Sequence, residues 1–145
     1  MFYWYNSIMS DVDIFKSAGV IIQNRQALIV RPHHKDIFIQ PGGKIEAGES
    51  AIQALIRELA EELQIQVKPR DLEFLHESNA PAAGQTHRIV HMQVYLVKAW
   101  KGNIAPANEI AELRWINADF DPNLELGSIM AHDTLPRLKA MDLID

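Results

Sequence analysis

Three glutamates close together on one predicted helix raise the first chemical question. In the stretch RELAEEL, Glu58, Glu61 and Glu62 stand three and four residues apart. Successive helical residues turn by about 100°, so all three share one side. Beside them runs an apolar stripe of Ile52, Leu55, Ile56, Leu59 and Leu63. One and two turns earlier the acidic side carries only Ala54 and Ala51, small residues that leave space in front of the carboxylates. The arrangement is costly. Like charges at this spacing repel by about 0.2–0.5 kcal/mol per pair, and carboxylates at a helix C-terminus oppose the macrodipole by about 0.3–1 kcal/mol each. Arg57 can meet Glu61 one turn on and relieve part of this. A hard divalent cation resolves the rest, because clustered carboxylate oxygens are the ligands that magnesium and manganese prefer. A solvated acidic face is the alternative that these residues alone leave open.

The segment leading into the helix narrows the choice. PGGKIEAGE holds one proline and three glycines, the composition of a loop with unusual backbone angles. Ser50 with Gln53 three residues on is a capping-box start, so the helix is predicted over about Ser50 to Leu63. Gly43, Glu49, Arg57, Glu58, Leu59, Glu61, Glu62 and Ile65 then fall at fixed intervals. The stretch resembles the Nudix hydrolases, whose signature is G-x5-E-x7-R-E-U-x-E-E-x-G-U with U a bulky aliphatic. Many fixed positions match at once, which makes this a far more specific signal than an acidic cluster. Gln64 stands where the signature has its last glycine. That glycine suits a left-handed residue ending the helix; a side chain there costs about 1 kcal/mol and removes no ligand.

The resemblance implies an α/β/α sandwich and an enzyme that splits a diphosphate linkage in a nucleoside diphosphate derivative. It implies magnesium, with manganese as the substitute, held by Glu58, Glu61, Glu62 and the backbone of Gly42, in front of a small nucleotide substrate. Arg57 and Glu49 are expected to pair and lock loop onto helix. Lys44, Arg31 and Phe38 are the candidate substrate contacts: Lys44 is offered either to phosphate or to solvent, Arg31 opens a loop of potentially positive groups, and Phe38 either stacks on a base or packs in the core. A glutamate outside the box serves some family members as general base; Glu109 and Glu112 are the candidates here, with strand-edge surface acids the alternative. Nucleoside triphosphates, oxidised ones included, are the first substrate class and yield the monophosphate. ADP-ribose is the second, because its hydrolases often carry a proline about sixteen residues past the box, where Pro81 stands. A ligand-sensing protein without turnover is the third reading, set against by the intact carboxylates.

The elements that must position these residues are legible at lower resolution. AGVIIQ (18–23) and ALIVR (27–31) read as a hairpin around NRQ, IFIQ (37–40) as a further strand, and 72–78, 87–100 and 109–116 as three more. In the long one, Val90, Met92, Val94 and Leu96 alternate with His91, Gln93, Tyr95 and Val97, giving one core face and one mixed face. LGSIMAHDTLPRLKAMDLI contains a second helix, interrupted or restarted near Pro136. Two amphipathic helices on opposite faces of a mixed sheet make an α/β domain.

Composition fits one domain, assigned to residues 17–145, with residues 1–16 an N-terminal extension or first strand. The first eight residues read either as an extension ahead of Met9 or as a docked aromatic tail. The chain has 145 residues and a formal net charge of -5, which disfavours a nucleic-acid polymer as partner. It has no cysteine, excluding thiolate zinc sites and cysteine nucleophiles, in keeping with a reducing cytoplasm. No apolar run is long enough to span a membrane, and the aromatic opening lacks the basic start of a secretory signal. His87 and His91 lie on one side of a strand, not at helical metalloprotease spacing. Trp100 and Trp115 suit core or dimer contacts, and a homodimer is the expected assembly if the chain associates.

Overall fold

The computed structural model describes residues 13–82 and 85–145, side chains 85 and 86 excepted. Residues 1–12 lie outside the described residues, and with them the first eight, read as an extension or a docked tail. The strands are β1 (Asp13–Val20), β2 (Ile22–Gln23), β3 (Gln26–Pro32), β4 (Gly42–Lys44), β5 (Leu72–Ala82), β6 (Gln85–Val97) and β7 (Ile110–Ile116). Helix α1 is Ala51–Leu63, and α2 is Leu135–Ala140, entered through a π-helical turn at Met130–Thr134. A four-stranded mixed sheet has the order β4-β1-β6-β5, with β1 and β6 parallel. A three-stranded antiparallel sheet has the order β2-β3-β7.

Helices cover both faces. Leu28 and Val30 of β3 join Leu55, Leu59 and Leu63 of α1 in one core, while Ala27 and Ile29 join Leu135 and Leu138 of α2 in the other. The alternation of β3 thus buries every residue from Ala27 to Val30. On β6 the mixed second face combines half-buried His91 and Gln93 with buried Tyr95 and Val97. Val94 turns to the α2 core and Tyr95 and Val97 to the α1 core, so both sides of that strand end are buried.

Two local expectations also change. Residues 37–40 make no strand; Ile39 bridges Val30 and Phe38 bridges Leu126. Neighbouring residues there bond to different elements, so no ladder extends. Conversely, Gly42–Lys44, inside the loop, pairs with β1. The Asn24-Arg25 turn has both residues at positive φ (50° and 61°), which fits a two-residue hairpin. Near Pro136 the second helix widens: the Leu135 N–H bonds the Met130 carbonyl, five residues back. Pro136 has no N–H to carry an α-helical ladder through that point.

Gly42 is where the chain can least accept a side chain. Its φ is +145°, and a Cβ would lie 2.1 Å from the Ser17 carbonyl oxygen. Gly42→Ala is therefore expected to destabilise the fold by about 2–4 kcal/mol, adding overpacking to backbone strain. A thermal melt against the parent chain measures this.

Candidate active site

Helix α1 begins on the reciprocal cap foreseen in the sequence. The Gln53 N–H donates to Ser50 Oγ at 3.1 Å, and the Ser50 N–H to Gln53 Oε1 at 2.8 Å. It ends at Gln64, in the left-handed conformation at φ 60°. On the acidic side Ala54 is fully buried and Ala51 half-buried.

The helix end carries a second set of partners that no sequence pattern announces. The Ala105 N–H donates to the Leu63 carbonyl, the Ala107 N–H to that of Glu62, and Asn108 Nδ2 to that of Glu61 at 2.7 Å. These carbonyls have no partner inside an ending helix. The same docking segment delivers Glu109. One carboxylate oxygen each of Glu58, Glu62 and Glu109 lie within 4.8 Å of one another, the one grouping of three potential metal ligands among the described residues.

Within the group the environments differ. The Glu62 residue is only 3% exposed, and its carboxylate accepts the Gly42 N–H at 2.9 Å. Burial pushes its pKa up to about 8, the charges of Glu58, Glu109 and Glu61 add to the rise, and the Gly42 hydrogen bond opposes it. Burial also raises Glu58, against the pull of Arg57. Glu109 is exposed. Glu61, with a side chain 48% exposed, stands outside the grouping and reaches Arg57 at 3.7 Å.

Arg57 ties the surroundings together. It donates to Glu49 at 2.6 and 3.2 Å, to Glu58 at 2.8 Å, and to the Lys44 carbonyl at 3.1 Å. The pairing with Glu49 and the ion pair with Glu61 therefore coexist. Hydrogen bonds from Arg57 hold Glu49 below the usual carboxylate range. Gly43 lets the loop approach, since a Cβ there would lie 2.5 Å from Glu58 Cδ.

The remaining candidates are placed elsewhere. Arg31 meets Glu112 at 3.3 Å and the carbonyls of Pro32 and Lys35. Glu112 also accepts from Arg114 at 2.8 Å, which with Arg31 lowers its pKa, so it is spent on ion pairs and only Glu109 joins the carboxylates. Phe38 belongs to the α2 core, 4% exposed, with the Arg114 guanidinium 5.0 Å over its ring. His91 binds Asp13 at 2.9 Å and stacks on Phe15, while Trp100 and Trp115 pack against the α1 core. Lys44 lies opposite Lys16 across β4 and β1. Lys16 was missed, because in the sequence it is one lysine in a strand, and only the register pairs it with the box.

A family model for the NUDIX domain matches residues 14–124. The chain belongs to the Nudix family. As such it is a hydrolase of the pyrophosphatase type. Among solved structures, the E. coli ORF135 protein is 29% identical, with 90% of this chain and 89% of that one covered and a TM-score of 0.66. A MutT structure from work on Aliivibrio salmonicida and Vibrio cholerae is 26% identical, covering 89% and 98%, with a TM-score of 0.69. The bifunctional NMN adenylyltransferase/ADP ribose pyrophosphatase of Francisella tularensis, complexed with AMP and manganese, is 22% identical. It covers 97% of this chain and 45% of that one, with a TM-score of 0.56, and shows the fold alone. No curated protein matches the sequence. No helix among the described residues is long and apolar enough to cross a membrane.

The raised Glu62 gives a pH signature. Folding holds a proton on Glu62 between an ordinary carboxylate pKa of 4.5 and about 8, where the unfolded chain has lost it. The folded state binds more protons, so stability falls as pH rises through that window, by at most about 1.4 kcal/mol per pH unit. Glu62→Gln cannot ionise. In chelator it should melt above the parent at the alkaline end of the window, with the advantage vanishing at the acid end. Gly43→Ala is a separate probe: by pushing the Glu58 carboxylate aside it should weaken manganese binding about tenfold or more, measured by titration.

Proposed function

We propose that the chain is a metal-dependent pyrophosphohydrolase that converts a nucleoside triphosphate, oxidised forms included, to the monophosphate. The observation that carries the reading is the convergence of Glu58, Glu62 and Glu109, two of them buried and disfavoured as free anions. Their all-oxygen donor set fits a hard divalent cation, magnesium first and manganese second. We assign the metal to Glu58 and Glu62, with the Gly42 carbonyl as a further ligand; Glu61, now turned to Arg57, would have to swing inward to join them. A bound cation there supplies charge neutralisation toward the phosphates and lowers the pKa of water.

The protein's own contribution is placement. Arg57, fixed by Glu49, holds Glu58 and leaves it little rotamer freedom. The Gly42 N–H orients Glu62. Glu109 is exposed and adjacent to both, so it is the group we assign to accept the proton of the attacking water. Lys44, at the end of β4, is offered to phosphate. We place the enzyme in the cytoplasm, where nucleotides and magnesium are abundant.

ADP-ribose is the second reading, and Pro81 favours it. That proline lines a cavity of about 350 Å3 between β5 and the second helix, with Ser78, Ser128 and His132. The Francisella protein, which this chain matches over 45% of its length, has ADP ribose pyrophosphatase as one of its two named activities.

A nucleotide panel in magnesium decides. Monophosphate plus pyrophosphate from a triphosphate is the expected result, and AMP plus ribose phosphate from ADP-ribose would move the assignment to the second class. Tight binding without turnover would make the chain a sensor. Glu62→Gln should lower kcat by about two orders of magnitude or more while the folded baseline in circular dichroism persists. Turnover within twofold of the parent would remove the carboxylate from the metal site.

A further inference from the structure

Gly43 faces the Glu58 carboxylate, so the alternation of β4 turns its neighbour Lys44 to the other face. Residues paired across neighbouring strands project to the same face. The registers set Lys44 of β4 opposite Lys16 of β1, Lys16 opposite Met92 of β6, and Met92 opposite Ser78 of β5. One row thus crosses the whole mixed sheet, from the last residue of β4 to the cavity that Ser78 lines. Two lysines directly opposite one another repel. Lys16 is half-buried, and among the described residues no carboxylate lies within ion-pair distance of it. Burial first, then the charges of Lys35 and Lys44, lower its pKa, while Glu62 and Glu58 raise it. Next to the row, Gln40 is 5% exposed; its Nε2 donates to Met92 Sδ at 3.4 Å, and its Oε1 has no partner among the described residues. Among the described residues neither lysine of the pair makes an ion pair, in a chain with 19 acidic against 14 basic residues.

We propose that Lys16, together with Lys44, grips the substrate's phosphate chain from the face opposite the carboxylates, setting where it lies between the metal ligands and the cavity. This deepens the pyrophosphohydrolase reading and rests on it. The two sides of β4 then divide the work: carboxylates take cations, and lysines take the phosphate oxygens that the cations leave free. An ammonium held in a partly dry site makes a charge-assisted contact stronger than a surface lysine's. Lys16 is a substrate contact that sets affinity, not a proton donor.

Lys16→Met and Lys16→Arg test this by steady-state kinetics on the preferred nucleotide and by calorimetric titration with inorganic pyrophosphate in magnesium. Lys16→Met should keep its fold, with a melting temperature equal to or above the parent's because the lysine repulsion is gone. Its KM should rise about tenfold or more, with a smaller fall in kcat, and pyrophosphate should bind about tenfold more weakly. KM should also depend less steeply on ionic strength. Lys16→Arg should recover most of the affinity. A folded Lys16→Met with KM and pyrophosphate affinity both unchanged would overturn the inference and leave the hydrolase reading standing. If the parent turns over no nucleotide while Lys16→Met still loosens pyrophosphate, the hydrolase reading fails and the lysine contact stands.

Discussion

The 2.9 Å hydrogen bond from the Gly42 N–H to Glu62 joins the loop strand to the helix where burial most opposes charge. Everything near it is arranged around carboxylates that would separate if left to themselves. Glu62 is sunk into the protein and Glu58 is nearly so, with Glu109 close to both. Arg57 supplies the opposing positive charge, but it is drawn toward Glu49 and Glu58, away from Glu62. The energy that keeps the carboxylates close comes from elsewhere: the leucine stripe of α1, the pairing of β4 with β1, and the docking of residues 105–108 on the helix end. Apolar burial of a leucine stripe is worth several kcal/mol, more than the roughly 1 kcal/mol scale of each like-charge contact at a helix surface. The fold can therefore hold carboxylates in an arrangement that their own charges oppose.

Glycine is required at two adjacent positions for two different reasons. Gly42 keeps β4 against the Ser17 carbonyl, and Gly43 keeps the same strand against the Glu58 carboxylate. β4 is three residues long and has a charged centre on either side of it. Side chains at 42 and 43 would hold helix and sheet apart, and the carboxylates could not sit beside the loop backbone.

How much of this was legible follows from which interactions are local. The capping box, the apolar stripe and the box spacing are fixed within a few turns of chain, so Ser50, Leu55, Glu58 and Glu62 could be placed from sequence. Glu109 and Glu112 could not be told apart, since each is an acid near the start of a strand. They are separated by distant partners: Arg31, 81 residues away, claims Glu112, and the carbonyls of α1 claim the segment carrying Glu109, with Asn108 bonding 47 residues back to Glu61. Residues 37–40 look like a strand by pattern but find bonding partners on two different elements. Lys16 has no local signal, because a cross-strand register is a property of the assembled sheet.

Gln64 shows how a departure from the signature is absorbed. It sits at φ 60° with its N–H on the Ala60 carbonyl, the conformation a glycine adopts without strain. The strain of a side chain there is about 1 kcal/mol. Against it stand the three bonds from residues 105–108 to the carbonyls of Glu61, Glu62 and Leu63, each worth about 0.5–1.5 kcal/mol when made. Gly102 permits the approach, since a Cβ there would lie 2.9 Å from the Gln64 carbonyl oxygen. A glycine that ends a helix is thus replaced by a glutamine held in the same conformation, with another glycine, in the facing loop, providing the clearance. The substitution leaves the ligands untouched because the helix end is fixed from outside, by the same segment that brings Glu109 to the other two carboxylates.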